Sequence, residues 1–500
     1  MKTITRILAV LLVVLMLVPM IASCKKEEEE GAESTTVAST AGATPRSETP
    51  DSLPDNLDFG GEEIKIFWGA YDTSFNAKEL ECDGSLTSDS VSQAVYYRNE
   101  SVEKRLNIDL VFMETDAVAT TKAYTSAIES LVVSMADESV DVIYHRAANA
   151  TSHVVQGYFR QLGDLQYLDF DQPWWFTEQM NRIAFKEGEP YILMGDLLVS
   201  NYANMSAMFF NKDYYSVLYQ RDADELYDMV KNGEWTWDTY FKICSEAYID
   251  NGNGIVDIED KFGSHYESSS TRTAGYYAFT SGLSFSGRDA EGYPTIDINN
   301  SISIELVERL YGWIYETGNL IDFTFDEAKQ SFYNGNVLFH TYFLTLGKFV
   351  QSSAEFDYGV IPFPKYSEDY DYQTAILTGA GVYCIPQYLG EDSLASVGAT
   401  LEALCAESYR KVSYEYYDTV LKTKQAGSGK DAEMIDLMRD NLSFDILYWI
   451  GPSIGAPQNF FHELITKKQS KDFASYWGQK GGGYEGSLAT VIETYKANVT

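Results

Sequence analysis

Strand-like and helix-like stretches alternate over residues 63–144, and this constrains the fold more than any other feature of the chain. Glu63 to Trp68 is a short apolar-rich run with Ile64, Ile66 and Phe67, opened by a Gly60-Gly61 turn. Val91, Ala94, Val95, Val102 and Leu106 follow at helical spacing, and Asn107 to Phe112 returns to strand pattern. A second helical stretch, Thr120 to Ala136, precedes the apolar run Val140 to Tyr144. Strands that alternate with helices build a parallel-rich sheet with helices on its faces. Ligands meet such sheets at the loops following the carboxyl ends of the strands. Those loops carry Trp68 and Tyr71, then Tyr144, His145 and Arg146.

The amino terminus decides where this fold works. Lys2 and Arg6 precede an unbroken apolar run from Ile7 to Val18, and Pro19 and Ile21-Ala22-Ser23-Cys24 close it. A spanning helix needs about 20 apolar residues, so the pattern is an export signal. Ile21-Ala22-Ser23-Cys24 resembles the lipobox of bacterial lipoproteins. The resemblance implies cleavage after residue 23 and a diacylglycerol on the Cys24 thiol. An ordinary secretory signal and an uncleaved anchor are the competing readings. Residues 24–56 begin Lys25-Lys26 and Glu27 to Glu30 and continue in Ser, Thr, Ala, Gly and Pro, which predicts a disordered tether.

Beyond the tether the chain is long enough for two or three domains, or for one large two-lobed unit. Hydrophobic content of 45% with 22% charged residues is globular composition. A formal charge of −37 repels phosphate backbones and excludes nucleic-acid binding through a basic footprint. It equally disfavours anionic headgroups, which leaves a lipid on Cys24 as the membrane contact. The 37 Tyr and 8 Trp suit sugar rings and wet interfaces as well as a core. Cys82, Cys244, Cys384 and Cys405 are too few for a disulfide scaffold, and their spacing does not give a pairing.

Further along, Tyr191 to Met194, Met208 to Asn211, Phe332 to Phe339 and Tyr358 to Pro362 read as strand segments. Thr236 is placed as the N-cap of a helix with the stripe Trp237, Tyr240, Phe241, Cys244, Ala247 and Tyr248. Helical pattern covers Ile304 to Tyr315 and Ser393 to Val420. From Met434 onward the chain reads as mainly helical, with a break at Gly481-Gly482-Gly483.

Trp235-Thr236-Trp237-Asp238, the loop Asp250 to Asp260 and Phe262-Gly263 together resemble the helix, acidic glycine-rich loop and strand of family 1 extracellular solute-binding proteins of carbohydrate ABC transporters. Val140 to Ile143 with Gly157-Tyr158, Phe210-Asn211-Lys212-Asp213, Phe332 to Asn336, Tyr358 to Pro364 and Val382 to Pro386 follow in that family's order. The resemblance spans most of residues 60–500. It implies an α/β fold of the periplasmic-binding-protein type II: two lobes joined by hinge strands, with a ligand cleft between them. Family chain order gives lobe one as 57–147 plus 378–430 and lobe two as 148–377 plus 431–500. By loop position or family segment order, Trp68, Tyr71, Tyr144, His145, Arg146, Trp175, Asp196, Asn201, Tyr342 and Trp449 are the candidate ligand contacts. The implied partners are a carbohydrate and ABC permease subunits, with the protein a monomer on the extracytoplasmic face of the membrane.

No cofactor is required. The acidic loop offers one place for calcium: with Gly254 as the loop glycine, Asn251, Asn253, the Ile255 carbonyl, Asp257 and Asp260 fall at ligand positions. Ile249 stands where the first ligand belongs. The other reading is a glycine-rich turn held by Asx hydrogen bonds. Catalytic motifs are lacking: His462-Glu463-Leu464-Ile465-Thr466 has no second zinc-binding histidine, and Gly429-Lys430 is followed by Asp431. A non-transport binding role, as an adhesin or a sensor's ligand-presenting partner, would use the same fold.

Overall fold

The computed structural model describes residues 46–69, 79–85, 89–119, 121–134, 140–163, 165–271, 273–318, 320–376, 380–425 and 427–499. Cys24 and Tyr71 therefore lie outside the described residues. In chain order the strands are β1 (Glu62–Gly69), β2 (Ile108–Thr115), β3 (Val142–Arg146), β4 (Ser206–Asn211), β5 (Ser286–Arg288), β6 (Pro294–Ile296), β7 (Phe339–Phe343), β8 (Tyr358–Ile361), β9 (Thr374–Ala375), β10 (Gly381–Cys384) and β11 (Leu442–Ser443).

The first sheet has the order β10-β3-β1-β2. β1 runs parallel to β2 and β3, and β10 returns antiparallel beside β3. In β1, Ile64 and Ile66 alternate with more exposed residues before Phe67, Trp68 and Gly69 are all enclosed, as expected of a strand covered on both faces. The helix Ser90–Leu106 starts where the Asp89 side chain accepts from the Val91 and Ser92 amides. It stops at Asn107, which takes the left-handed conformation that ends many helices. Lys122–Ser134 supplies the second expected helix.

The second sheet, β7-β4-β8, is wholly antiparallel, and every residue of its central strand β4 is buried. Thr236 caps the helix Trp237–Glu246 as the sequence indicated, accepting from the Thr239 amide. The strand expected at Phe332 to Phe339 is instead the end of a helix, Phe325–Tyr333, a turn through Asn334 and Gly335, and the start of β7. Thr324 and Glu327 cap that helix reciprocally, and the capping box outweighs the aromatic pair Phe332-Tyr333. Tyr191 to Met194 reaches only a single-residue bridge, Leu193 to Tyr383.

Several expected boundaries shift. The tether was expected to run to residue 56, yet residues from Arg46 onward are docked: Asp51 pairs with Arg105 and Arg410, and Leu53 is buried. Lobe two was expected from residue 148. Instead, bridges from Phe159 to Pro386 and from Leu193 to Tyr383 tie residues 157–195 to β10 and the segment after it, so the chain first enters the second sheet at β4. The helix Gly429–Asp440 docks on β8 through Asp431, which accepts from the Val360 amide. The last helix, by contrast, lies against Val155 and Glu189 through Asn498 and Tyr495. The helix expected over Ser393 to Val420 runs as an α-helix over Glu391–Glu407 and continues with π geometry over Ser408–Val412 and Tyr414–Gln425.

The expected glycine break is absent, and Phe473–Val499 runs through Gly481, Gly482 and Gly483 as one helix. Burial of Phe473, Tyr476, Tyr484, Leu488 and Tyr495 along one face offsets the roughly 1 kcal/mol that each glycine costs. Gly481 has a packing reason: a Cβ there would stand 2.4 Å from the Trp477 ring, whereas none would meet anything within 4 Å at Gly482 or Gly483. Urea denaturation is therefore expected to show Gly482→Ala and Gly483→Ala each gaining up to about 1 kcal/mol, and Gly481→Ala losing stability.

Candidate functional site

Two chain crossings join the sheets, one leading into β4 at Ser206 and one leaving β9 for β10 at Gly381. β10 is an edge strand of its sheet, so backbone groups on its outer side need other partners. Asn201 supplies them: its Nδ2 donates to the Gly381 carbonyl at 3.2 Å, and the Gly381 amide donates to its Oδ1 at 3.0 Å. The Ala375 amide donates to Ser206 Oγ at 3.0 Å. These contacts hold the crossings side by side. Just upstream, the Asp196 carboxylate is enclosed and accepts from Arg46 at 2.9 Å and from the Tyr202 hydroxyl at 2.7 Å. Burial pushes the Asp196 carboxyl up from its usual range, and the Arg46 guanidinium works against that.

Because β1 and β3 are parallel and Gly381 faces Arg146, Trp68, Gly69, His145 and Arg146 share the edge of the first sheet where the second crossing arrives. Trp68 is buried, and its indole N–H has no partner among the described residues. The Tyr144 ring meets Tyr383 edge-on, and its carbonyl accepts from the Tyr124 hydroxyl at 2.5 Å. His145 Nδ1 accepts from the Arg146 amide, so Nε2 carries the proton and faces His153 Nδ1 at 3.0 Å. His153 Nε2 in turn points to Glu129 at 3.5 Å. Burial holds both imidazoles below their usual range, most strongly at His145. Of this group Arg146 is the half-exposed member, set where the helix Ala147–Val155 begins.

On the second sheet, Tyr342 and Phe343 pair with Ala207 and Ser206, which puts them at the mouth of the first crossing. Tyr342 stacks on Phe325 with centroids 4.7 Å apart, and Phe343 lies 6.0 Å from Tyr276. The result is a half-buried aromatic wall. Local sequence pattern does not single out Phe325, Phe343 and Tyr276, which lie on a helix, a strand and a second helix that only the fold brings together.

The other candidate contacts sit behind these edges. Trp174 and Trp175 donate their indole N–H groups to the two oxygens of Glu402, at 3.2 and 2.8 Å. Trp449 packs edge-on to Phe444 and lines a cavity of 10 Å³ with Asp445 and Tyr448, room for one water at most. Asn201 and Asp196 belong to the hinge. The structure thus places Trp68 and Arg146 where the second crossing reaches the first sheet and Tyr342 where the first crossing enters the second, while Tyr144, His145, Trp175, Asp196, Asn201 and Trp449 spend their contacts on the walls and hinge.

In the acidic loop, Asp250 accepts from the Gly252 and Gly254 amides, and Asn253 from Ile255. Asp257 accepts from the side-chain amides of Asn251 and Asn253, and Asp260 from the Asn251 amide and the Tyr248 hydroxyl. Among the described residues no three His, Cys, Asp or Glu side chains converge on a metal position, and no helix is long and apolar enough to cross a membrane.

Two α/β lobes with paired crossings define the periplasmic-binding-protein fold of type II, and solved structures agree. The chain is similar to a cyclo/maltodextrin-binding protein in complex with maltotetraose, with a TM-score of 0.53 and 12% identity over 88% of this chain and 98% of that one. It is also similar to a family 1 extracellular solute-binding protein from Bifidobacterium longum subsp. infantis, with a TM-score of 0.52 and 16% identity over 86% and 100%. The GacH receptor of Streptomyces glaucescens, solved unliganded and with acarbose, gives a TM-score of 0.52 and 13% identity over 87% and 99%. At these identities the likeness is one of fold, which is the fold of family 1 extracellular solute-binding proteins. No protein-family model matches the sequence, and no curated protein matches it.

Trp175→Ala is expected to cost about 3–5 kcal/mol of stability, read by urea denaturation, because it opens the core beside Glu402. Burial raises the Glu402 carboxyl to about 7. A raised folded-state value means that its stabilising share is complete below the unfolded value and is lost as pH rises through about 7. The wild-type protein should therefore lose up to ~3 kcal/mol more than Glu402→Gln between pH 4.5 and 7, as measured by denaturation at each pH.

Proposed function

We propose that this chain is the substrate-binding protein of an ABC importer, lipid-anchored through Cys24 on the extracytoplasmic face of the membrane. It captures an oligosaccharide by closing its lobes and delivers it to membrane permeases without altering it. The observation that carries this reading is an aromatic wall, Tyr342, Phe343 and Phe325, set where one crossing enters the second sheet, with Trp68 and Arg146 where the other reaches the first. Aromatic faces take the C–H groups of sugar rings, and a guanidinium takes paired hydroxyls. The solved proteins of this fold that were crystallised with maltotetraose and acarbose support a saccharide ligand. An export signal ending in Ile21-Ala22-Ser23-Cys24 supports the anchor.

A thermal-shift screen of oligosaccharides against peptides tests the ligand class. A saccharide at a hundredfold excess over its Kd should add about 2.7 kcal/mol, and Tyr342→Ala should lower its affinity about tenfold or more while leaving the unliganded melting temperature within a few degrees. A response to peptides alone would overturn the carbohydrate assignment. For the anchor, membrane-derived protein should enter the detergent phase and Cys24→Ala should not.

For the acidic loop, the reading best supported is a turn held by Asx hydrogen bonds, since Asp250, Asp257 and Asp260 already meet the loop's own donors. Calorimetric titration with calcium should then give no saturable heat. A saturable heat abolished by Asp257→Ala would assign the loop to calcium instead.

A further inference from the structure

Residues 46–53 precede the first strand and have the composition of a linker, yet they grip the body at two places. At the first, both Asp51 oxygens receive the Arg105 guanidinium at 2.7 Å, Arg410 adds a contact at 3.0 Å, and the Thr49 carbonyl accepts from Arg410. This fastens the segment to the helix Ser90–Leu106 and to the π-helical stretch Ser408–Val412. At the second, Arg46 lies over the Tyr409 ring at 4.1 Å, donates from Nε to the Tyr409 carbonyl, and reaches Asp196. Among the described residues, Arg46 is the one cation in ion-pair contact with Asp196.

We infer that residues 46–53 form a strap that belongs to the hinge, with Arg46 a positioning residue for lobe opening and closure through its contact with Asp196. The inference rests on the lobe-closure reading above. The Tyr202 hydroxyl shares the Asp196 oxygen that Arg46 holds, and Tyr202 lies in the crossing four residues ahead of β4. Its ring packs on Tyr417 with centroids 5.1 Å apart, and the Tyr417 hydroxyl donates to Asp436. Asp436 is on the helix Gly429–Asp440, which docks on β8 of the second sheet. A continuous run of contacts therefore leads from the strap, through the crossing, to lobe two. An enclosed carboxylate stripped of its cation must take up a proton or find water, and either change is made inside the crossing. Compositional reading misses the strap because its grip comes from two arginines far away in sequence, Arg105 and Arg410.

The test uses the full chain carrying Cys24→Ala and Cys82→Ala, with spin labels on Val133→Cys and Val217→Cys, two exposed positions on helices of the first and second lobe. Without ligand, Arg46→Gln should broaden or shift the interlobe distance distribution and speed hydrogen exchange over residues 199–206 by about tenfold or more. Arg105→Gln, which leaves Asp196 and Arg410 in place, should do neither. Arg46→Gln with Asp196→Asn should return both readouts toward the parent. An unchanged distance distribution in Arg46→Gln, with or without a fall in melting temperature, would overturn the inference, since a strap that only stabilises would not move the lobes. No readout requires a sugar, so a failed ligand screen would leave this result standing.

Discussion

The structure depends on how two chain crossings are held together at the outer side of β10, an edge strand of the first sheet. A peptide N–H or C=O enclosed without a partner costs about 1–3 kcal/mol, and a hinge must enclose several while still bending. Asn201 meets both requirements because its amide carries a donor and an acceptor in the geometry of a peptide group. It pairs with Gly381 as a strand neighbour would, while remaining a side chain that can turn. Ser206 repeats the solution with the Ala375 amide. These contacts keep the crossings together, one of them leading to the edge that bears Arg146 and the other to the wall that bears Tyr342.

Parts of this were legible in the chain. β1, β2, β3, β4 and β8 announced themselves by apolar alternation or short enclosed runs, and Thr236 by its capping chemistry. Features carried by contacts distant in sequence were not legible. Trp175 reads as a sugar contact because indoles are common at such sites, but its N–H is taken by Glu402, 227 residues on. The end of the tether was invisible because Asp51 is anchored by Arg105 and Arg410. Gly481 to Gly483 read as a break because local propensity favours one, while the face carrying Tyr476, Tyr484 and Leu488 decides otherwise. The same holds for Phe159 and Leu193, whose bridge partners lie near β10, far along the chain.

The charge balance separates surface from interior. A chain with 74 acidic and 37 basic side chains repels itself in solution, yet several of its enclosed ionisable groups have specific partners. The Arg146 amide donates to His145, which donates in turn to His153, an order that holds only while both rings are neutral. Asp196 keeps its place beside a guanidinium drawn from ahead of the first strand. Excess negative charge is thus left to the outside, where ions screen it, and the interior keeps few unmatched charges.

If the lobes close as proposed, the paired amides of Asn201 and Gly381 would also act as an axle. Atoms beside a pivot barely travel when the halves turn, and displacement grows with distance from it. The atoms of the pivot itself, Asn201 and Gly381, would therefore meet nearly the same surroundings in either state. Discrimination falls to the outer rim, where a small turn makes or breaks whole contacts. In a lineage built on this plan, preference for one solute over another can drift at the periphery while the bearing at its centre stays as it is.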